Sequence, residues 1–219
     1  MTDAAGWLLA LDTATNTIVV AAGRPDGTLL AADAFEGRYR HSQELLPAIQ
    51  RLIAGARLEL RTLAGVVVGT GPGAFTGLRV GLATAKTLAH ELGVPVAGIP
   101  TSEALLAAAD ATRLWLPSGP RDTLLIERGK PPELVHGEAA ALPGDVAVDL
   151  VDRAPAPALE HGRAAIAALP ATLLRIGAAR LAAGESDDPE LLVPAYAIAP
   201  RGAPASDPEG GVAWSRDPR

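Results

Sequence analysis

Residues 69–86, GTGPGAFTGLRVGLATAK, place four glycines and a proline within nine positions and then run directly into a helical pattern. The apolar run AGVVVGTG precedes them, so the stretch reads as a buried strand, a tight turn and a helix. That context suits a phosphate-holding loop, and Gly69, Gly71 and Ala74 even fit the G-x-G-x-x-A fingerprint. The fingerprint also needs an acid at the end of the next strand, but VPVAGIP ends at Pro100 and Thr101 with no acid in reach. A Walker loop is excluded as well, because no Lys-Ser or Lys-Thr follows Gly77 at the required spacing. Downstream, Gly77, Gly81, Ala85 and Ala89 recur every fourth residue and line one helix face with tiny side chains. Such a stripe fits either a tight crossing over the chain's own sheet or docking by a helix of another subunit. Spacing alone favours the first.

The flanking segments extend the α/β pattern. WLLALD and TNTIVVAAG read as strands, and Pro25-Asp26-Gly27 supplies a reversing turn into LLAADAFEG, giving a three-stranded meander. HSQELLPAIQRLI carries apolar Leu45, Leu46, Ile49, Leu52 and Ile53 at helical spacing, with Ser42 as the expected N-cap. VPVAGIP predicts a strand and TSEALLAAA a capped helix start. The second half predicts four short strands (RLWLPSG, DTLLIERG, PELVHG, DVAVDLV) and two helices, LEHGRAAIAALP and ATLLRIGAARLAAG. The expected division is a first lobe over 1–109, a divergent second lobe over 110–198 and a disordered tail over 199–219, rich in Pro, Gly and charge.

Composition excludes several functions. The chain has no cysteine, so disulfides and thiolate metal sites are out. A net charge of −6 and 3% aromatic residues argue against holding RNA directly by phosphate neutralisation and base stacking. The four histidines lack metal-site spacing, and no serine lies in a nucleophile elbow. The N-terminal apolar stretch has no basic flank and breaks at Asp12, so neither a signal peptide nor a spanning helix is expected. A cytoplasmic location fits. Asp12, with Thr13 and Thr15 after it, admits two readings: a phosphate and Mg²⁺ site at a strand end, or a turn stabilised by its own side chains.

Four segments, LLALDTATNTIVVAA, HSQELLPAIQRLI, GTGPGAFTGLRVGLATAKTLA and GVPVAGIPTSEALL, resemble the TsaB (YeaZ) family in its order and spacing. LLVPAYAIAPR is similar to that family's closing Pro-x-Tyr segment, whereas LPSGPRDTLLIE departs from its Asp-Ala-Arg and Glu-Val-Tyr pattern. The resemblance implies an actin-like, sugar-kinase-like ATPase fold (ASKHA, ribonuclease H-like) with a shortened second lobe. It implies a non-catalytic subunit for N6-threonylcarbamoylation of adenosine 37 in tRNAs reading ANN codons, paired with a TsaD-like catalytic subunit and a TsaE-like ATPase. It further implies a homodimer when alone, only indirect contact with tRNA, and no membrane role. No cofactor is required by this chain, with ATP or ADP and Mg²⁺ open at the complex interface.

The catalytic relative binds its metal through a His-Met-Glu-Gly-His segment, where this chain has Thr101-Ser102-Glu103-Ala104-Leu105. The resemblance places the partner interface on the helices at 41–54 and 77–92. The expected contacts are His41, Leu45, Leu46, Ile49, Gly71, Gly73, Gly77, Gly81, Ala85 and Ala89, so docking becomes the favoured role of the stripe. A bulky residue at Gly81 is then expected to break association without unfolding the monomer. Asp12 and Thr13 remain a vestigial phosphate loop in this reading. The competing class is a stand-alone ATPase or kinase-like enzyme that uses Asp12 and the Gly71–Gly77 turn.

Overall fold

The computed structural model describes residues 6–37 and 39–196; the expected tail over 199–219 lies outside them. Strands β1 (Trp7–Asp12), β2 (Thr17–Gly23) and β3 (Leu29–Glu36) form the antiparallel meander. Its second turn works as the sequence implies: Gly27 takes φ 87° and the Asp26 carboxylate accepts the Thr28 N–H at 2.9 Å. Helix α1 (His41–Gly55), strand β4 (Leu63–Gly69), helix α2 (Phe75–Leu92), strand β5 (Val96–Ile99) and helix α3 (Thr101–Ala108) follow. β4 adds parallel to β1 and β5 parallel to β4, giving the order β3-β2-β1-β4-β5.

A second sheet, ordered β8-β7-β6-β9, holds β6 (Arg113–Ser118), β7 (Asp122–Glu127), β8 (Glu133–His136) and β9 (Val146–Ala147). The expected strand DVAVDLV contracts to those last two residues. Asp149 just beyond them takes φ 58°, a left-handed conformation that ends the extended run.

The near-continuous apolar character of β1 and β4 follows from burial on both faces. Trp7, Leu9 and Leu11 pack with Ile18, Val20, Leu45, Ile49 and Leu82 on the α1/α2 side. Leu8 and Ala10 face the opposite layer with Val19, Leu105, Leu169 and Leu173. That opposite layer is α3 and α4 (Ala156–Ala182), and α4 touches every strand of the first sheet as well as β9.

Two sequence expectations are corrected by the structure. The two helices expected to break at Pro170 are one helix of 27 residues with Pro170 inside it and buried. Both ends are clamped by close packing, which outweighs the roughly 3 kcal/mol by which an interior proline disfavours a helix. A Cβ at Gly162 would overlap the backbone of Ala147, and one at Gly177 would overlap Val67. The second correction concerns capping: α1 begins at His41 with Arg40 at the cap position, so Ser42 lies inside the first turn. Likewise α3 begins after Pro100 without a side-chain cap. Among the described residues α4 alone has the length and apolarity of a membrane-spanning helix, and its packing between two sheets accounts for that character.

Alanine normally stabilises a helix by about 1 kcal/mol over glycine. At Gly162 we expect the opposite: Gly162→Ala should lower stability by about 1–3 kcal/mol in urea unfolding, because the methyl group must push β9 away. A gain in stability would contradict the packing described here.

Candidate functional site

The C-terminal ends of β1 and β4 meet the start of α2 and of α3, so four connections converge on one buried carboxylate. Asp12 is fully buried. Its Oδ1 accepts the Ala14 N–H at 2.8 Å and its Oδ2 accepts the Thr101 hydroxyl at 2.6 Å. Thr101 Oγ1 in turn accepts the Gly71 N–H at 3.0 Å. Gly69 lies directly against the carboxylate, with no room for a Cβ. Burial pushes the Asp12 pKa up from 3.8 to about 6; the Thr101 hydroxyl, the Ala14 N–H and the His41 charge pull the other way and only partly offset it.

Thr13 is equally committed. Its hydroxyl donates to the Gly77 carbonyl at 2.7 Å, and the Ala14 carbonyl accepts the Ala74 N–H at 2.6 Å. His41 is buried, with Nε2 2.9 Å from the Thr15 carbonyl oxygen. Asp12 and Thr13 therefore form an internal tie between strands and helices. Neither of these residues, expected as a vestigial phosphate loop, lines the open cleft described below.

The small-residue stripe is occupied by the chain itself. Gly77 and Gly81 lie under the Thr13 backbone and hydroxyl, where a Cβ on either would overlap them, and Ala85 and Ala89 are buried in the α1/α2 layer. Gly71 takes φ 99° beneath Ala195 and Leu78, and Gly73 abuts the Ala14 carbonyl. Leu45 and Ile49 are buried. Of the ten expected contacts, Leu46 at 53% and Gly73 are exposed. Within this chain the stripe's small side chains let α2 approach β1. The outer surfaces of α1 and α2 carry other residues, among them Leu46, Pro47, Arg79, Ala83 and Thr87.

Between the lobes lies a cleft of about 430 Å³, bounded by Ala14–Asn16, the turn Pro72–Phe75, Leu116–Gly119, Leu124, Asp149 and Tyr196. The Asp149 carboxylate accepts the Asn16 N–H at 2.6 Å and joins the lobes at this point. Tyr196 stacks on Phe75 with centroids 5.1 Å apart, and Arg79 lies 4.1 Å over the Phe75 ring while its Nε donates to the Tyr196 hydroxyl at 3.2 Å. Sequence reading missed this group. The one available signal was Tyr196 in the closing LLVPAYAIAPR segment, and nothing in one-dimensional spacing pairs it with Phe75.

Two outcomes follow from the buried ties. Because the folded-state pKa of Asp12 is raised, the folded chain binds that proton more tightly than the unfolded chain. The associated stability is complete below about pH 4 and is lost as pH rises through about 6. Asp12→Asn should accordingly be more stable than the parent at pH 8, by about 1–3 kcal/mol, and should lose that advantage at pH 4 in chemical denaturation. Gly81→Leu, in contrast, should fail to fold or should melt far below the parent, because the side chain must displace Thr13. A Gly81→Leu monomer with parental melting would restore the stripe as an outer face.

Comparison with known proteins complements this geometry. The family model described as TsaD, tRNA N6-adenosine threonylcarbamoyltransferase, matches residues 37–153. An uncharacterised protein of Mycobacterium leprae is 35% identical over 142 residues, covering 64% of this chain and 40% of that protein. The tRNA threonylcarbamoyladenosine biosynthesis protein TsaB of Bacillus subtilis is 35% identical over 100 residues, 46% of this chain and 43% of the relative. That of Escherichia coli is 36% identical over 94 residues, 43% and 40% respectively. The matched stretch thus spans less than half the length of these relatives. YeaZ from Pseudomonas aeruginosa superposes with a TM-score of 0.65 at 24% identity, covering 87% of this chain and 99% of that one. The fold is therefore the two-lobed actin-like α/β fold.

Proposed function

This chain belongs to the TsaD family of tRNA N6-adenosine threonylcarbamoyltransferases, with TsaB (YeaZ) proteins among its relatives, and we propose that it is a non-catalytic subunit in threonylcarbamoyladenosine formation on tRNA. In this reading it pairs with a TsaD-like catalytic subunit, is joined by a TsaE-like ATPase, forms a homodimer when alone, and works in the cytoplasm. It touches tRNA only through its partners.

The observation that supports this reading most is the fate of Thr101. Where the resemblance puts the first metal-binding histidine of the catalytic relative, this chain has a hydroxyl already spent on Asp12, and Leu105 fills the second such position deep in the core. Neither side chain offers an imidazole nitrogen to a metal. The stand-alone ATPase reading loses its main residue for the same reason, since both oxygens of Asp12 have internal donors. Calorimetry of the isolated chain with ATP and Mg²⁺ should show no micromolar binding, and such binding would favour the enzyme reading.

Partner docking moves from the stripe to the outer surfaces of α1 and α2. Leu46 is half exposed, and Ala83 lies on the exposed side of α2. An apolar group at the centre of an interface typically contributes more than its polar rim. Leu46→Arg combined with Ala83→Arg should therefore abolish co-elution with the TsaD-like subunit on size exclusion, with the melting temperature unchanged. Retention of the complex would remove these helices from the interface.

A further inference from the structure

An open sheet has two edges, and this chain treats its edges unequally. On β5 the outer backbone groups are taken. The Asp187 carboxylate accepts the Gly98 N–H at 2.7 Å, Arg180 donates to the Gly98 carbonyl at 2.6 Å, and the Asp187 N–H donates to the Val96 carbonyl at 2.8 Å. In the second sheet, β8 is four residues long, follows Pro131-Pro132 and carries exposed Glu133 and His136 at its ends. The two residues of β9 lie against α4 at Gly162. Short edges, prolines and charges are the usual means by which sheets avoid pairing with one another. β3 is less guarded: it is eight residues long with no proline or lysine, and its bulge lies at its start, opposite Ala22 and Gly23. Its Asp33 is already paired with Arg51 at 3.7 Å.

The ladder fixes which groups of β3 face outward. The Gly37 N–H donates to the Asn16 carbonyl at 2.8 Å, and bonded and non-bonded pairs alternate along an antiparallel ladder. Phe35 and Asp33 therefore exchange bonds with Ile18 and Val20, whereas the N–H and C=O groups of Ala32, Ala34 and Glu36 point away from β2. No strand among the described residues pairs with that side, and the side chains of Ala32, Ala34 and Glu36 are exposed.

We propose that β3 pairs antiparallel with β3 of a second copy about a two-fold axis at Ala34, joining the two five-stranded sheets into one. In this register Ala34 faces its own counterpart and Ala32 faces Glu36, so the outward N–H and C=O groups of all three meet partners. On the α1 side Asp33 faces Phe35 of the second copy, the ring over which that copy's Arg51 lies at 5.6 Å. Each Asp33 thus gains a second guanidinium, and the two Asp33–Arg51 pairs meet with opposite signs. A two-fold at Asp33 would instead oppose two carboxylates at the closest cross-strand distance. One at Ala32 would draw the bulge into the ladder. This pairing gives the homodimer a face and uses neither the Leu46 and Ala83 surface nor the tRNA role, so it stands or falls separately from the subunit reading.

The test is light scattering behind size exclusion on the full chain, with Ala34→Pro, Ala34→Lys and the double variant Leu46→Arg/Ala83→Arg beside the parent. At about 0.1 mM the parent is expected at twice the chain mass. Ala34→Pro removes an N–H that β2 does not use, so it should be a folded monomer by circular dichroism. Ala34→Lys opposes two ammonium groups at the axis and should weaken the dimer at least about tenfold, which reads the same contact if the proline disturbs the strand. Leu46→Arg/Ala83→Arg should remain dimeric. The sequence has no cysteine, so Ala34→Cys should give a cross-linked dimer with a short bismaleimide, whereas Leu46→Cys should not. A monomeric parent at that concentration overturns the proposal. So does a dimer that persists in both Ala34→Pro and Ala34→Lys, or one that Leu46→Arg/Ala83→Arg alone dissolves. Growth beyond a dimer also overturns it, because a two-fold pairing closes on itself.

Discussion

The close approach of helix α2 to the end of strand β1 is the contact on which the rest of the fold depends. Glycine at positions 77 and 81 brings the helix backbone against Thr13, and the Thr13 hydroxyl and the Ala14 carbonyl then bond to the helix start. Once α2 lies there, the turn at Gly71 falls within reach of Thr101, and Thr101 within reach of Asp12. One chain of hydrogen bonds thus fixes β1, the Gly71 turn and α3 together. It does so at the cost of a carboxylate buried out of water, whose raised pKa records the mismatch.

That arrangement has consequences for what the chain is able to do. In a doubly covered sheet the strand ends are where ligands usually enter. Here they are closed by internal ties, and the open space lies to one side, in the cleft between the lobes. Glycine-rich turns serve phosphates only when their N–H groups remain available to the ligand. In this chain the Gly71 and Ala74 N–H groups go to Thr101 and Ala14. The same elements form an internal joint between β1, the Gly71 turn and the start of α2 and α3.

Much of the first lobe was legible because local signals agree with the tertiary outcome. Pro25-Asp26-Gly27 makes its turn, the 3.6-residue spacing of Leu45, Ile49 and Leu52 marks the buried face of α1, and AGVVVGTG becomes a central strand. The second lobe was harder to read because packing overrides local signals there. Pro170 reads as a break, yet the glycines at 162 and 177 let β9 and Val67 clamp the helix on either side. The stripe at Gly77, Gly81, Ala85 and Ala89 was recognised as a close-packing face, but a one-dimensional pattern does not say which backbone comes close. Links such as Asp12 to Thr101 and Phe75 to Tyr196 join residues 89 and 121 positions apart, and periodicity carries no information over such distances.

The most direct measurement is reconstitution of tRNA threonylcarbamoylation from purified TsaD-like and TsaE-like subunits of the same source, supplied with unmodified tRNA, ATP and threonylcarbamoyl-adenylate as the group donor, with and without this chain. The account predicts no modified tRNA from this chain alone and little from the two partners alone. Modification should appear when all three are combined. Modified tRNA from this chain alone, or full activity without it, would contradict the account.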